Sequence, residues 1–188
     1  TANSIQAMKV AQALMQLGHD ARMFAPAETE PVSQQLLITH YGVRLIPPLE
    51  LLPSISGLKR LDFIVHAQRA AQKFGAELIY TWLPQSAALA LWMKYPVVLE
   101  MHADVTGLMG AWWLRQFWNA KGKKTMTVTT SALRNVLERS TKLKLENEAV
   151  IVAPNGVELE RYASLPSPSE ARRQLNLPDG LTVGFTGH

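Results

Sequence analysis

The sequence predicts an α/β fold, a parallel sheet covered by helices on both faces. Two observations carry this. Helical periodicity alternates with short apolar runs along the whole chain, and those runs are unbroken rather than alternately polar and apolar. A sheet with one wet face would alternate; strands buried on both faces do not. The pattern is therefore Rossmann-like. With 188 residues, 47% hydrophobic and 18% charged, the chain can build one core of full size and part of another.

The elements follow in order. Ile5, Met8, Ala11 and Met15 recur at helical spacing, with Ser4 as the predicted cap and Gly18 as the stop. Residues 20–26 read as a strand, 31–41 as a helix ended at Gly42, and 43–46 as a strand. Three prolines and two serines across 47–57 predict a loop. A long helix begins at Leu58 and closes at Phe74-Gly75. Strands are then expected over 77–82, 96–102, 126–130 and 149–153, separated by helices over 85–94, 112–119 and 132–139.

Two features frame this series. The first helix has no strand before it, although a βαβ unit opens with one, so the first strand is expected to be missing. Residues 181–186 read as a new strand followed only by Gly187-His188. Pro166, Pro168 and Pro178, with several serines, mark a linker around a short helix at 169–175. The expected organisation is a Rossmann-like domain over 1–165, a linker over 166–180, and the opening strand of a second domain over 181–188.

Composition removes several classes. With no cysteine, disulfides, thiolate metal sites and cysteine nucleophiles are out. The run 87–93 is too short to span a bilayer, and no basic start leads into an apolar signal segment. The expected setting is cytoplasmic. No HExxH, G-x-S-x-G, Walker or G-x-G-x-x-G motif is present, and the five histidines lack metal-ligand spacing. The net charge of +4, clustered at 59–60, 121–124, 142–144 and 172–173, fits solvated faces or an anionic partner. Basic residues do not interleave with aromatics as in RNA-binding segments, so nucleic acid is not expected.

In doubly wound sheets, ligands bind beyond the carboxyl ends of the strands. Four segments fall there. Asn3 and Ser4 open a helix N-terminus able to receive a phosphate or hydroxyl-rich ligand, or simply to cap it. His102 and Asp104 follow the strand 97–101, where a histidine can position a hydroxyl or donate to a phosphate. Ser131 is the predicted cap of the next helix, with Arg134 a turn further on the same face. Asn155 sits in an Asn-Gly turn after a strand, for which geometry alone is a sufficient reason.

Asn3-Ser4, LMQLGHDARMFAP, VVLEMHAD, VTTSALRNVLE, VIVAPNGVELERY and LTVGFTGH succeed one another at set spacings. Taken in that order, they resemble the retaining glycosyltransferases of family four, which have the GT-B fold. Glu158 and Tyr162 stand where the family's turn usually has Asp and Phe. The resemblance implies an N-terminal, acceptor-side domain of a two-domain enzyme. That enzyme would move a sugar from a nucleotide-sugar donor to an acceptor hydroxyl, on a glycan or a lipid-linked molecule, with retention and without a cofactor or metal. By position, His102 resembles the family histidine near the transferred sugar and leaving phosphate. Gly187 resembles the glycine beside the donor diphosphate, and His188 stands where many members have Arg. The family's paired glutamates have no counterpart here, so the segment by itself is expected to be inert.

Two alternatives stand beside this reading. Trp112, Trp113, Phe117 and Trp118, with Arg115 and the lysines of 121–124, could dock on an anionic membrane, or the aromatics could pack into the core. A nucleotide-sugar epimerase of the same architecture is the other, against which the PNGVELERY turn argues.

Overall fold

The computed structural model describes residues 2–27, 33–55, 60–145, 148–157, 163–178 and 180–184. The chain forms two compact units, Thr1–Asn155 and Gly156–His188. In the larger, α1 (Ala2–Gln16) leads to β1 (Met23–Pro26), α2 (Gln34–Tyr41) and β2 (Leu49–Leu52). Then come α3 (Leu61–Phe74), β3 (Ile79–Thr81), α4 (Pro84–Trp92) and β4 (Val97–Met101). Last are α5 (Gly107–Asn119), β5 (Lys124–Val128), α6 (Ser131–Thr141) and β6 (Val150–Val152). Every strand pair is parallel, β1 with β2 in one sheet and β3-β4-β5-β6 in another. The expected α/β architecture, helices flanking parallel sheets, is what forms.

Two segments depart from the expected series. Residues 43–46 are not a strand, because the amides of Arg44 and Leu45 donate to Gln12 Oε1 of α1 instead of a neighbouring strand. The strand comes later, at Leu49–Leu52, inside the predicted loop. Proline lacks an N–H, but its carbonyl still pairs: Pro48 O accepts from Met23 N at 2.9 Å. Two caps also differ. Ser4 lies within α1 rather than before it. The cap of α6 is Thr130, whose Oγ1 accepts from Leu133 N at 3.0 Å, which leaves Ser131 as the first helical residue.

The main core lies against one face of the four-stranded sheet. Val97, Leu99 and Met101 of β4 and Met126 and Val128 of β5 point into it. Ala87, Ala88, Ala90 and Leu91 of α4, Leu114 and Phe117 of α5, and Leu137 of α6 close over them. The alanines let α4 approach closely, and the period of two sends Val98 and Glu100 to the opposite face. A smaller cluster joins Leu52 of β2 to Phe63 and Ile64 of α3.

In the smaller unit, α7 (Pro168–Gln174) is capped by Ser167, whose hydroxyl accepts from Glu170 N. Arg172 donates to Pro178 O at 2.8 Å and to Thr182 Oγ1 at 3.0 Å. Residues 181–184 form no strand, contrary to the sequence reading, and 185–188 lie outside the described residues. Leu181 and Val183 are exposed here, so no partner strand selects the extended form.

Candidate functional site at the carboxyl edge of the four-stranded sheet

The apolar strand β4 carries one charge, Glu100, which is buried on the face opposite the main core. A carboxylate in such a place needs partners, since desolvation without them is costly. Glu100 has two. Tyr80 of β3 donates its hydroxyl to Oε2 at 2.6 Å, and His102 Nε2 lies 2.8 Å from Oε1. The pairing of β3 with β4 brings Tyr80 alongside this strand, opposite Val98. An ionised carboxylate only accepts, so the His102 ring directs its N–H from Nε2 at Glu100. Nδ1 of that tautomer carries the lone pair and can accept. The His102 side chain is 14% exposed and that of Glu100 8%, so the imidazole stands at the rim and the carboxylate beneath it.

Burial, then the hydrogen bond and the charge of Glu100, push the Tyr80 phenol far above its ordinary range, with Thr127 opposing slightly. Tyr80 therefore remains a donor throughout the physiological range. With both carboxylate oxygens engaged, the ring of His102 is held in one orientation. Trp82, just beyond β3, stacks at a tilt on Tyr80 with centroids 5.3 Å apart. Its buried Nε1 makes no hydrogen bond among the described residues, and the same holds for Arg134 Nε in the first turn of α6. The strand registers put Trp82, His102 and the Thr130–Arg134 turn beyond the carboxyl ends of three neighbouring strands.

The other sequence candidates divide. Asp104 turns to structural work: Oδ1 accepts from Val105 N at 2.8 Å and from Ser140 Oγ at 2.7 Å, tying the loop after β4 to the last turn of α6. Ser131 and Asn155 are exposed at the carboxyl edge, beyond β5 and β6. Asn3 and Ser4 lie in the first turn of α1. Gly187 and His188 fall outside the described residues. Tyr80, Glu100 and Trp82 were not among the predicted site residues. One signal was present for Glu100, a lone carboxylate in an apolar strand next to a candidate histidine.

With this geometry in view, comparison with known proteins decides the family. The family model described as Glycosyltransferase Family 4 matches residues 4–161, most of the chain. The chain belongs to that family. It carries a glycosyltransferase-type domain, which serves a sugar donor and an acceptor. Neither the curated proteins nor the solved structures contain a match to it. No helix among the described residues is long and apolar enough to cross a membrane.

Proposed function

We propose that this domain is the acceptor-side half of a retaining, nucleotide-sugar-dependent glycosyltransferase of GT-B architecture, with His102 at the reacting centre. The observation that supports it most is the Tyr80–Glu100–His102 chain at the carboxyl edge of the sheet. That edge is where α/β folds bind their ligands. A buried carboxylate bonded on both oxygens fixes the imidazole, and a fixed polar group serves a transition state better than a mobile one. In this reading the acceptor hydroxyl attacks from the face the nucleotide diphosphate leaves, and His102 positions the transferred sugar by accepting from one of its hydroxyls at Nδ1. Arg134, in the first turn of α6 at the same edge, adds positive charge, and Ser131 and Asn155 supply polar contacts to the acceptor. Asn3 and Ser4, at the start of α1, are assigned to the same acceptor side.

The donor would be held by a second domain beginning near Leu181, with Gly187 and His188 against its diphosphate. The transfer needs no metal in this account, and the acceptor is a glycan or lipid-linked molecule at the cytoplasmic face of a membrane. The 188 residues alone would then be inert, and tight nucleotide-sugar binding to them by isothermal titration would contradict that. In the enzyme with its donor-binding domain, His102→Ala should lower kcat by about a hundredfold, the scale of losing one preorganised polar contact in the transition state. Unaltered turnover in a correctly folded variant would remove His102 from the reaction.

A further inference from the structure

The structure redraws the aromatic face that the sequence suggested. Phe117 is fully buried, and Trp113 and Trp118 pack against the core. Arg115 Nε donates to Thr141 O, and Lys124 Nζ turns inward to the carbonyls of Phe117, Trp118 and Ala120 at the end of α5. Those groups are committed to the fold. A different surface is open. Leu108 is 90% exposed, Met109 59% and Trp112 42% on the first half of α5, and Trp92 51% and Met93 44% at the end of α4.

These side chains form one strip. Trp113 bridges the two helices, with its ring 4.6 Å from that of Trp112 and 6.1 Å from that of Trp92. Ala111, Leu114 and Phe117 fill the core from the inner side of α5, so the first half of the helix, through Leu114, is apolar on its inner and outer faces alike. A helix apolar all round is ordinarily covered on both sides. Exposed lysines edge the strip. Lys94 follows Met93 directly, and Lys121 and Lys123 belong to the turn after α5. That turn lies against α4, because a Cβ on Gly122 would come within 3.1 Å of Leu91 Cδ2.

We propose that this strip docks the protein on an anionic lipid surface, with α5 lying in the plane of the interface. Tryptophan, leucine and methionine between lysines are the composition of an interfacial element: the rings and aliphatic chains enter the headgroup boundary and the ammonium groups meet lipid phosphates. At 13 residues, α5 is too short to span the bilayer and long enough to lie on it. The strip begins on the helix entered from the His102 loop, so a lipid-held acceptor would arrive beside that residue. This last consequence rests on the proposed glycosyl transfer, whereas the docking does not.

Co-sedimentation of the full chain with phosphatidylglycerol–phosphatidylcholine vesicles tests it, against pure phosphatidylcholine and with tryptophan emission read in parallel. The expected result is binding to the anionic vesicles, weakened by salt, with a blue shift on binding. Leu108→Asp with Met109→Asp should cut partitioning by about tenfold or more. Acidic residues suit the first turn of a helix, so this variant keeps its fold, which circular dichroism would verify. Lys121→Gln and Lys123→Gln should each cost about fivefold. No binding to anionic vesicles overturns the proposal, as does binding the double aspartate variant leaves unchanged. A concentration-dependent dimer abolished by that variant would assign the strip to a second copy and overturn it equally. None of these measurements depends on catalysis.

Discussion

Around β4 and β5, buried side chains from α4, α5 and α6 lock into one cluster running from Ala87 to Leu145. Among the described residues around β1 and β2, the buried cluster comprises Leu52, Phe63 and Ile64. Leu36, Leu51 and Ile55 of that region remain more than two-fifths exposed. The two regions share an architecture, yet among the described residues one is close-packed by a cluster of 13 buried side chains and the other holds a cluster of three. The Tyr80–Glu100–His102 chain stands on the close-packed one. A side chain that must hold one orientation needs rigid strands beneath it, and β3 and β4 supply them.

The largest expected effect that sharpens this contrast is in the main core. Phe117→Ala should destabilise the larger unit by about 4 kcal/mol, read from urea unfolding. Leu52→Ala, in the small cluster, should cost about 2 kcal/mol because its surroundings can collapse. Equal losses would erase the distinction. Hydrogen exchange offers a local version of the same test. Amides of β1 and β2 should exchange through sub-global openings, well before those of β4 and β5, which wait for global unfolding.

A smaller effect concerns the site itself. Tyr80→Phe removes a hydrogen bond to a charged group and should cost about 2 kcal/mol at neutral pH. The same change has a pH signature. The folded-state phenol lies above its ordinary value of 10.0, so the folded chain keeps a proton that the unfolded chain sheds above that pH. The contribution is complete below about pH 10 and is lost as pH rises toward the folded value. Stability of the native protein should therefore fall more steeply above pH 10 than that of Tyr80→Phe, as followed by circular dichroism. Parallel curves would show that the phenol is not held by Glu100.

The contrast between the regions also explains what could be read in the sequence. From residue 60 to 175, each helix and strand is announced by its own periodicity; most limits shift by one to three residues, α5 starts at Gly107 rather than at 112, and the strand expected from 181 does not form over 181–184. The β2 region departs from its local pattern because its determinant is remote: Gln12, far back in α1, takes the amides of Arg44 and Leu45, and pairing then starts at the Pro48 carbonyl. The same holds at the site. His102 was legible from its place after an apolar strand, but Tyr80 reaches Glu100 only through the β3–β4 register. Asp104 likewise meets Ser140, 36 residues on, a partner no local pattern announces. Local pattern conveys which element a residue occupies, and not which partner it meets across a sheet.

In the proposed transfer, Glu100 acts through His102. A double-mutant cycle on kcat, in the enzyme with its donor-binding domain, tests it most directly. Glu100→Gln in the native background should slow transfer by roughly tenfold or more, by loosening the imidazole. In the His102→Ala background the same change should add almost nothing. Fully additive losses would contradict the account and give Glu100 a role of its own.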